Sequence, residues 1–375
     1  MKVLHVVING EIAGGQVVCH RIIEALIEKG HQALVVSPSQ GPFVDLLIKK
    51  GTPVFFLPFE KTYSFHRALQ LSALIRKENV DIVHTHGMVP MNIQARLAAK
   101  LAGVPCISHI HNTANFFNAN PFIRRYQVFL DNWTSKFCSK LIAVSKSTKR
   151  SLVEQGVPEG LIRVIPNGVD PQRIRCQRSP EDIFRKFRIN PGKRLVGMIG
   201  RLCPLKGQEE FLKAASLVTR QMPDVMWLIV GKDTEFGGEY ERKLRALATR
   251  LELNGNVIFT GHQDDPFSLL NAMEFLVLPS KAEGMPLVIL EAMALKKPVI
   301  ASAVGGVPEL IENGKDGVLV PAQDNHSLSQ AMLQLLSQDG LSRRMGQSGF
   351  EKVRNEFLES KMITRLLAIY QEARR

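Results

Sequence analysis

Short apolar runs alternate with amphipathic segments along the whole chain, and this alternation predicts its secondary structure. In the first half, the pattern predicts strands at 2–8, 33–37, 53–57, 80–84, 104–110, 140–145 and 163–165. It predicts helices near 15–29, 64–78, 90–102 and 121–137. After a polar break at 170–192, strands recur at 195–200, 225–230, 256–260, 274–278, 298–301 and 317–320. Strands that alternate with helices are typical of βαβ units, so we predict an α/β fold with two doubly wound parallel sheets.

The length supports two domains, because a chain of 375 residues exceeds the size at which one hydrophobic core keeps growing. We predict domains at 1–172 and 173–356, with a linker near 172–190. No apolar run reaches the ~18 to 20 residues that span a bilayer, and the first residues form a strand-like segment rather than a signal peptide. The five cysteines are odd in number and widely separated, which favours reduced thiols and a cytoplasmic location.

The chain carries a formal net charge of +13, which the two halves share unequally. Residues 1–172 hold 19 Lys and Arg against 11 Asp and Glu, whereas residues 173–375 hold 29 against 24. The segment 121–150 is particularly basic, because Asp131 is its only acidic residue. Nucleic acid, an anionic membrane face, a phosphorylated substrate and a solvated basic face without a ligand are all compatible with this charge.

Two carboxylates lie eight residues apart in the segment 279–292. Glu283 follows the predicted strand 274–278, and Pro286 suits the first turn of a helix, where its missing N–H costs nothing. Glu291 would then lie inside that helix among apolar neighbours, where a carboxylate needs hydrogen-bond donors. A ligand rich in hydroxyl groups would supply them. The alternative is one loop carboxylate and one partly exposed helical Glu.

Two glycine-containing loops could bind anions. Gly14 and Gly15 open a helix after strand 2–8, where backbone N–H groups can approach an anion, and a plain glycine turn is the alternative. Arg201 and Lys206 follow strand 195–200 at the start of another helix, and this pair of cations suits a diphosphate. Solvated loop cations are the alternative there. The third glycine of a dinucleotide-binding fingerprint is missing at the first loop, which argues against a nicotinamide-dependent oxidoreductase.

Histidines end two of the predicted strands, His84 and His86 on one and His109 and His111 on the next. Because alternate residues of a strand share a face, the four imidazoles could hold a metal, contact a substrate, or lie buried with satisfied ring nitrogens. No carboxylate or thiolate lies close enough in sequence to complete a familiar ligand set, so we predict no metal and no cofactor.

An aromatic and basic segment at 115–126 contains Phe116, Phe117, Arg124 and Arg125. It could form an acceptor groove or a shallow membrane contact. Ordinary helix packing with a polar rim is the alternative.

The order of these motifs resembles that of the retaining glycosyltransferases of family 4, whose fold is called GT-B. The motifs are Gly-Gly after the first strand, His-x-His, Val-Ser, Pro-Asn-Gly-Val-Asp, Gly-Arg-x5-Gly, Gly-His, Glu-x7-Glu and Gly-Gly-x-Pro-Glu. The resemblance covers nearly the whole chain. It implies two Rossmann-like domains that face each other across a cleft, with a C-terminal helix at about 357–375 packed back on the first. Cys138-Ser139-Lys140 departs from the family, in which an acidic residue often precedes this strand, and we interpret the departure as local packing variation.

The resemblance implies a role for each matching residue. It assigns Arg201 and Lys206 to the donor diphosphate and His111 to the side of the reacting sugar, as the catalytic set. It assigns Glu291 to the ribose, and Glu283 to the donor sugar. The donor-binding residues it implies are Gly14, Gly15, Asn167, Gly261, His262, Glu283, Gly284, Met285, Pro286, Leu287 and Glu291. The acceptor-binding candidates are His86, Phe116, Phe117, Arg124 and Arg125.

The implied reaction moves a sugar from a nucleotide diphosphate sugar, UDP-linked by resemblance, to an acceptor hydroxyl with retention of the anomeric configuration. No metal is required where cations and helix N-termini stabilise the leaving phosphate. The expected partners are this donor and a sugar, polysaccharide or lipid-linked acceptor of surface polysaccharide, lipopolysaccharide or glycolipid assembly, with no nucleic acid. Because the first domain is basic, we also expect an anionic membrane surface as a partner. The protein would then be peripheral on the inner face of the cell membrane. The alternatives are another GT-B enzyme, such as an epimerase or phosphorylase, and a non-enzymatic nucleic-acid-binding protein.

Overall fold

Two parallel β-sheets form the framework of the protein, whose computed structural model describes residues 1–58, 64–87, 89–112 and 120–374. Side chains are described for all of these except residues 89, 90 and 121. The chain divides into one unit of Met1–Asn167 with Ser360–Arg375 and a second unit of Gly168–Glu359. Each unit contains one of the sheets.

Among its described residues, the first unit contains seven strands and, before its boundary at Asn167, six α-helices. The strands are β1 (Lys2–Val7), β2 (Gln32–Ser37), β3 (Val54–Phe56), β4 (Ile82–His86), β5 (Cys106–Ile110), β6 (Lys140–Ala143) and β7 (Ile162–Val164). The helices are α1 (Gly14–Glu28), α2 (Pro42–Lys49), α3 (Phe65–Lys77), α4 (Val89–Ala102), α5 (Pro121–Ser135) and α6 (Lys146–Glu154). The strands pair in parallel in the order β3-β2-β1-β4-β5-β6-β7.

The second unit contains six strands, which pair in parallel. They are β8 (Arg194–Ile199), β9 (Val225–Val230), β10 (Val257–Gly261), β11 (Leu276–Leu278), β12 (Val299–Ser302) and β13 (Val318–Val320), in the order β10-β9-β8-β11-β12-β13. The remaining helices are α7 (Pro180–Lys186), α8 (Gln208–Thr219), α9 (Glu239–Arg250), α10 (Pro266–Ala272), α11 (Leu287–Ala294), α12 (Val307–Leu310), α13 (Asn325–Ser337), α14 (Asp339–Glu356) and α15 (Glu359–Ala373). From Ser360 onward, α15 belongs to the first unit.

These elements confirm the α/β prediction and every predicted strand, whose ends lie within two residues of the observed ones. The four helices predicted in the first half are confirmed as α1, α3, α4 and α5. Within the predicted linker near 172–190, however, Pro180–Lys186 form α7, a helix that sequence analysis missed. A capping box between Ser179 and Asp182 begins it, and this sequence signal was hidden by the polar composition of the stretch.

Helices cover both faces of the first sheet, because alternate residues of a strand point to opposite sides. Leu4 and Val6 of β1 pack in one hydrophobic cluster with residues of α3 and α4. Val7 packs instead with Cys19 and Ile23 of α1 in a cluster on the other face. The sheet is therefore doubly wound, as its strand order requires.

The strand order of each sheet reverses once, between β1 and β4 in the first and between β8 and β11 in the second. In open α/β sheets, ligands bind beyond the carboxyl ends of the strands at such a reversal. Candidate site residues that follow β1, β4, β8 or β11 are therefore the ones in position to bind a ligand.

The C-terminal helix α15 is fixed to the first sheet by polar contacts as well as by burial. Tyr370 is fully buried, and its hydroxyl lies 2.6 Å from Nδ1 of His84 at the end of β4. Glu372 forms an ion pair with Lys140 of β6 at 3.3 Å. These contacts explain why α15 belongs to the first unit.

Candidate active site

The loops after β8 and β11 lie side by side, because these two strands are neighbours in the second sheet. Arg201 follows β8, and Lys206 ends a short 3-10 turn before α8. Glu283 lies in the loop between β11 and α11. The N–H of Lys281 donates to the carbonyl oxygen of Leu205 over 2.8 Å, which joins the two loops. The first predicted carboxylate therefore lies next to the loop of the predicted diphosphate cations, at the strand-order reversal.

Glu283 and Lys206 form an ion pair, with 2.6 Å between Lys206 Nζ and Glu283 Oε1. The hydroxyl of Ser280 donates to the same carboxylate oxygen over 2.7 Å. Only 8% of the Glu283 side chain is exposed, against 23% for Lys206. Sequence analysis assigned Lys206 to the diphosphate and Glu283 to the donor sugar without joining them. The structure shows them in direct contact, so that each restricts the orientation of the other.

Two glycines let the backbone close tightly around Glu283. Gly207 has a φ of +77°, and a Cβ there would lie 2.0 Å from the carbonyl oxygen of Pro279. Gly305 has a φ of +54°, and a Cβ there would lie 1.7 Å from the carbonyl oxygen of Glu283. A side chain at either position would push the loop after β11 out of place. The N–H of Gly306 donates to the Glu283 carbonyl over 3.4 Å, so this backbone donor is used within the protein itself.

Arg201 is also paired with a carboxylate, which sequence analysis missed. Its guanidinium contacts Glu235 in the loop after β9, and both side chains are 44% exposed. Asp233 shapes that loop, because its carboxylate accepts hydrogen bonds from the N–H groups of Glu235 and Phe236 over 3.2 and 2.7 Å. An ion pair this exposed contributes at most about 1 kcal/mol. An incoming diphosphate could therefore replace Glu235 at Arg201.

The second predicted carboxylate lies in α11. The helix begins at Leu287 with Pro286 as its N-cap, so the proline stands one residue before the first turn in which the sequence placed it. Gly284, Met285 and Pro286 are buried, whereas Leu287 and Glu291 are half-buried. Glu291 lies in the second turn of α11, and its assignment to a ribose stays a prediction.

Gly261 and His262 lie at the end of β10, which β9 separates from β8. Gly261 has a φ of +68° at a β-bulge that interrupts the pairing with β9. The side chain of His262 is 58% exposed, and its Nε2 lies 3.7 Å from the carboxylate of Asp264. The pair therefore lies two strands from the loop of Arg201, and its donor-binding role stays a prediction.

Five histidine rings stand together along β1, β4 and β5 in the first unit. His5 of β1 lies directly beside His84 of β4 in the parallel register. The centroids of neighbouring rings in the group His5, His84, His86, His109 and His111 lie between 4.1 and 5.7 Å apart. Sequence analysis expected four of these side chains to lie close together and missed His5.

The ring nitrogens of this cluster are only partly satisfied. His5 Nδ1 lies 3.1 Å from His86 Nε2, and His86 Nδ1 lies 3.4 Å from His111 Nε2. Within the described part of the chain, Nε2 of His5, Nε2 of His84 and both ring nitrogens of His109 have no hydrogen-bond partner. The alternative of buried histidines with fully satisfied ring nitrogens therefore does not hold for these three rings.

Burial keeps the five imidazoles neutral. Desolvation lowers the pKa of His5 to about 3 and the pKa of His111 to about 4. Desolvation, with a smaller contribution from neighbouring imidazoles, lowers the pKa of His84, His86 and His109 well below its ordinary value. The cluster therefore carries no charge at neutral pH.

Two groups of three side chains bring potential metal ligands together. The ligand atoms of His84, His86 and His109 lie within 4.8 Å of one another, as do those of His5, Cys19 and His86. Neither group, among the described residues, includes a carboxylate, so a divalent ion in the first would be buried without an anionic ligand. Burial raises the pKa of the Cys19 thiol, which disfavours the thiolate that a metal needs. The cluster therefore suits neutral imidazoles better than a metal.

The glycine loop after β1 leads to the same cluster. Helix α1 begins at Gly14, and its N-cap, Ala13, provides no side-chain acceptor for the first-turn N–H groups. Such a helix start can accept an anion. A Cβ at Gly15 would lie 3.1 Å from Cδ2 of His111, so glycine lets the start of α1 approach this ring.

Comparisons with known proteins identify the family. The model of Glycosyltransferase Family 4 matches residues 12–173, and the model of Glycosyl transferases group 1 matches residues 179–352. The chain belongs to glycosyltransferase family 4. The solved structure of Anabaena HepE in complex with UDP-glucose overlaps it with a TM-score of 0.88 at 22% identity, covering 99% of this chain and 100% of that one. The predicted GT-B fold is therefore confirmed.

Curated relatives of this glycosyltransferase act on different acceptors. It is 28% identical to the UDP-Gal:alpha-D-GlcNAc-diphosphoundecaprenol alpha-1,3-galactosyltransferase of Escherichia coli, over 99% of this chain and 96% of that protein. It is 26% identical to the N-acetyl-alpha-D-glucosaminyl L-malate synthase of Bacillus anthracis, over 97% of this chain and 95% of that protein. Both names describe an enzyme that attaches a sugar to an acceptor.

The acceptor-binding candidates of this glycosyltransferase are only partly described. Phe116 and Phe117 lie outside the described residues. Arg124 and Arg125 are exposed on α5, whereas His86 is buried in the histidine cluster. Asn167, a predicted donor residue, is buried at the end of the first unit.

Helix α5 exposes a stripe of large apolar side chains. The exposed fractions are 83% for Phe122, 56% for Tyr126, 64% for Phe129 and 49% for Trp133. Steps of four, three and four residues place these side chains on one face of the helix. An exposed apolar stripe of this size indicates an interaction surface.

The exposed charges of α5 and its C-terminal end are positive. Arg124, Arg125 and Lys136 are exposed. Asp131, the only acidic residue of the helix, is buried against the fully buried Arg96 of α4, with 2.7 Å between Arg96 Nη1 and Asp131 Oδ1. The aromatic stripe is therefore bordered by cations alone within the helix.

Three residues of the site were missed by sequence analysis, and each had a signal. Glu235 and Ser280 lie in loops that follow strands next to β8, so knowledge of the strand order would have pointed to them. His5 is the one polar residue in the apolar run Val3–Val7. A lone polar side chain in a buried strand needs a partner, and this signal was available from the sequence.

Proposed function

We propose that this glycosyltransferase moves a sugar from a UDP-sugar to a hydroxyl of a lipid-linked acceptor, with retention of the anomeric configuration. One observation carries the proposal. Arg201 and Lys206 stand at the strand-order reversal of the second sheet, each oriented by a carboxylate, Glu235 and Glu283. This arrangement suits a diphosphate that arrives with its own negative charge.

The demanding step is the departure of the nucleotide, because negative charge grows on the β-phosphate as the sugar leaves. Arg201 offers a planar fork for two phosphate oxygens, and Lys206 offers a compact point charge. Cations that are already in position stabilise this charge without reorganising during the reaction, and such electrostatic stabilisation often contributes more to catalysis than any other effect. Because the protein supplies this positive charge itself, the proposal requires no metal ion.

The donor is assigned from the carboxylates and from the relatives. Glu291 would accept hydrogen bonds from the ribose hydroxyls, and the loop of Glu283 would hold the donor sugar, with His111 beside the reacting carbon. The Escherichia coli relative is named for the donor UDP-Gal, and the Anabaena structure is a complex with UDP-glucose. These names support UDP over other nucleotides.

We assign retention of the anomeric configuration to a step in which the acceptor hydroxyl attacks the anomeric carbon on the face from which the phosphate leaves. Such an attack needs no carboxylate nucleophile, and Glu283, whose Oε1 accepts from Lys206 and Ser280 over 2.6 and 2.7 Å, is assigned to holding the donor sugar instead. In the proposed step, the bond from the anomeric carbon to the phosphate oxygen breaks and the bond to the acceptor oxygen forms. The proton of the acceptor hydroxyl passes to the departing phosphate.

UDP-sugars are expected to raise the midpoint of thermal unfolding, because a ligand that binds only the native state stabilises it by mass action. At 100 times Kd the gain is about 2.7 kcal/mol. UDP-glucose, UDP-galactose and UDP-N-acetylglucosamine would be screened against GDP-mannose and ADP-glucose as matched controls. A larger shift with a control nucleotide would contradict the UDP assignment. With the donor identified, an inverted anomer in the NMR spectrum of the product would contradict retention, and release of free sugar or sugar phosphate would favour an epimerase or phosphorylase.

The lipid-linked acceptor is assigned from the surface of α5. Exposed aromatic rings next to cations, without an exposed acid on the helix, suit the boundary of an anionic bilayer. The Escherichia coli relative is named for an acceptor on diphosphoundecaprenol, in which a diphosphate is joined to a lipid. Among the described residues, no helix combines the length and the apolar character needed to cross a membrane.

Removal of the stripe should weaken binding to anionic vesicles. Replacing Phe122 and Phe129 by serine is expected to lower the affinity for vesicles of phosphatidylglycerol and phosphatidylcholine by about tenfold or more, because each buried ring contributes about 1.5–3 kcal/mol. The matched control replaces Phe56 and Phe65, which are 46% and 60% exposed in the same unit, and should bind as the wild type. Equal loss in both variants, or tighter binding to duplex DNA than to vesicles in a sedimentation assay, would contradict the membrane assignment.

A further inference from the structure

A line of ring contacts runs from the buried His5 through the buried His86 to the half-buried His111. His5 Nδ1 lies 3.1 Å from His86 Nε2, and His86 Nδ1 lies 3.4 Å from His111 Nε2. His86 therefore uses both of its ring nitrogens within the line. Because all three rings are neutral, each carries one N–H donor and one acceptor nitrogen.

Neutral imidazoles in such a line can hold their protons in only two ways, since the choice of each ring fixes that of its neighbour. In the first arrangement, His5 Nδ1–H donates to His86 Nε2 and His86 Nδ1–H donates to His111 Nε2. His111 then carries its own proton on Nδ1. In the second arrangement every donor points the other way, and His111 carries its proton on Nε2.

The inner end of the line favours the first arrangement. His5 is fully buried, and its Nε2 has no partner within the described part of the chain. The first arrangement leaves a bare acceptor at this nitrogen, whereas the second leaves an N–H donor. Proteins leave buried acceptors unsatisfied more often than buried N–H groups. The first arrangement is therefore the more stable one.

We propose that His5 and His86 are positioning residues that hold His111 in its Nδ1–H tautomer. The inference rests on the proposed function in one respect, namely that His111 lies beside the reacting sugar. There, Nδ1–H donates a hydrogen bond to a hydroxyl oxygen of the reacting sugar. Since Nδ1 already carries a proton and Nε2 is used by His86, His111 does not accept the proton of the acceptor hydroxyl. That proton is left to the departing phosphate.

The surroundings of the line contain further uncharged groups. Cys19 of α1 offers its sulfur within 4.8 Å of ring nitrogens of His5 and His86. Glycine at position 15 leaves room for the His111 ring, as a Cβ there would lie 3.1 Å from Cδ2. The orientation of the three rings is therefore set by packing and by the ring contacts together.

The tautomer of His111 can be determined by NMR in the absence of substrate. Two-bond correlation spectra of the protein with nitrogen-15-labelled histidine distinguish Nδ1–H from Nε2–H rings, and His111→Asn assigns the signal. We expect the Nδ1–H tautomer in the wild type at neutral pH. An Nε2–H tautomer, a charged His111 ring, or a transition metal bound in stoichiometric amount to the purified protein would overturn the inference.

Variants of His5 test whether the line sets this tautomer. His5→Phe removes the inner donor and keeps a ring, whereas His5→Asn places an amide near the position of Nδ1. His5→Phe should shift His111 toward Nε2–H and lower kcat by about three- to tenfold at nearly constant KM for the donor, and His5→Asn should restore both. The matched control His84→Phe removes an equally buried ring outside the line and should leave the His111 tautomer unchanged.

The outcomes separate this inference from the proposed function. If His111 keeps its tautomer in His5→Phe, or loses it equally in His84→Phe, the line does not position the ring. If the tautomers follow the expectation but no UDP-sugar is turned over, the proposed function is wrong while the assignment of the line stands.

Discussion

Lys206→Ala is expected to lower kcat by about 10²- to 10³-fold, or about 2.7–4 kcal/mol, because it removes a fixed charge from the leaving phosphate. The Kd for the intact UDP-sugar donor should rise much less, by under about tenfold, since the β-phosphate carries more negative charge in the transition state than in the intact donor. Steady-state kinetics and calorimetric titration with the donor in the absence of acceptor measure the two quantities. Arg201→Ala is expected to behave in the same way. Near-normal turnover in both variants would contradict the assignment of the donor site.

The controls for Lys206 follow from its contacts. Lys281 lies on the adjoining loop, where its Nζ pairs with Glu210 at 3.0 Å, and Lys281→Ala should leave kcat within about twofold of the wild type. Lys206→Ala also removes the cation from Glu283. Ser280 still donates to that carboxylate over 2.7 Å, so Ser280→Ala measures the contribution of Glu283 orientation alone. A loss in Ser280→Ala as large as that in Lys206→Ala would assign the effect to the carboxylate rather than to the diphosphate.

The fold could be predicted from the sequence because strands of a parallel sheet buried on both faces are short, nearly continuous apolar runs. Runs such as Val225–Val230 have few other interpretations. Helix α7 was missed because its residues are mostly polar and because the helix is too short to show an amphipathic pattern. Its signal lay in the capping pair Ser179 and Asp182, which depends on two residues rather than on a pattern.

The candidate site was predictable as a set of loops but not as a set of contacts. Lys206 and Glu283 are separated by 77 residues, and no local pattern joins them. Their contact depends on β8 and β11 being neighbours, which follows from the strand order rather than from the sequence of either loop. The same reason hid Glu235, whose loop follows the strand on the other side of β8.

The net charge of the 121–150 segment could be counted from the sequence, whereas the division of its charges between surface and interior could not. Counting residues gives one acid, Asp131, among the cations. The structure shows that this acid is buried with Arg96, so it does not offset the exposed positive charge of α5. The surface of α5 is therefore more cationic than composition alone indicates.

Asp131→Ala is expected to lower the free energy of unfolding of the first unit by about 3–5 kcal/mol, because it leaves a buried charge without its partner. Arg96 is fully buried and donates to the Asp131 carboxylate over 2.7 Å. Its other contacts are with neutral oxygens: the Asp131 carbonyl at 3.0 Å, the Ser108 hydroxyl at 2.9 Å and the Thr134 hydroxyl at 3.3 Å. These oxygens cannot replace the lost negative charge. Urea denaturation, with hydrogen exchange to assign the transition to the first unit, measures the loss.

The matched control is the double variant Arg96→Met with Asp131→Leu, which removes both charges and fills the space with apolar side chains. Such replacements of buried ion pairs are often nearly neutral. The double variant should therefore be more stable than Asp131→Ala, although it differs from the wild type at two buried positions instead of one. Equal or greater loss in the double variant would mean that packing rather than the unpaired charge decides stability here. If the expectation holds, α5 owes its position to a buried acid, and the same burial leaves only cations beside its aromatic stripe.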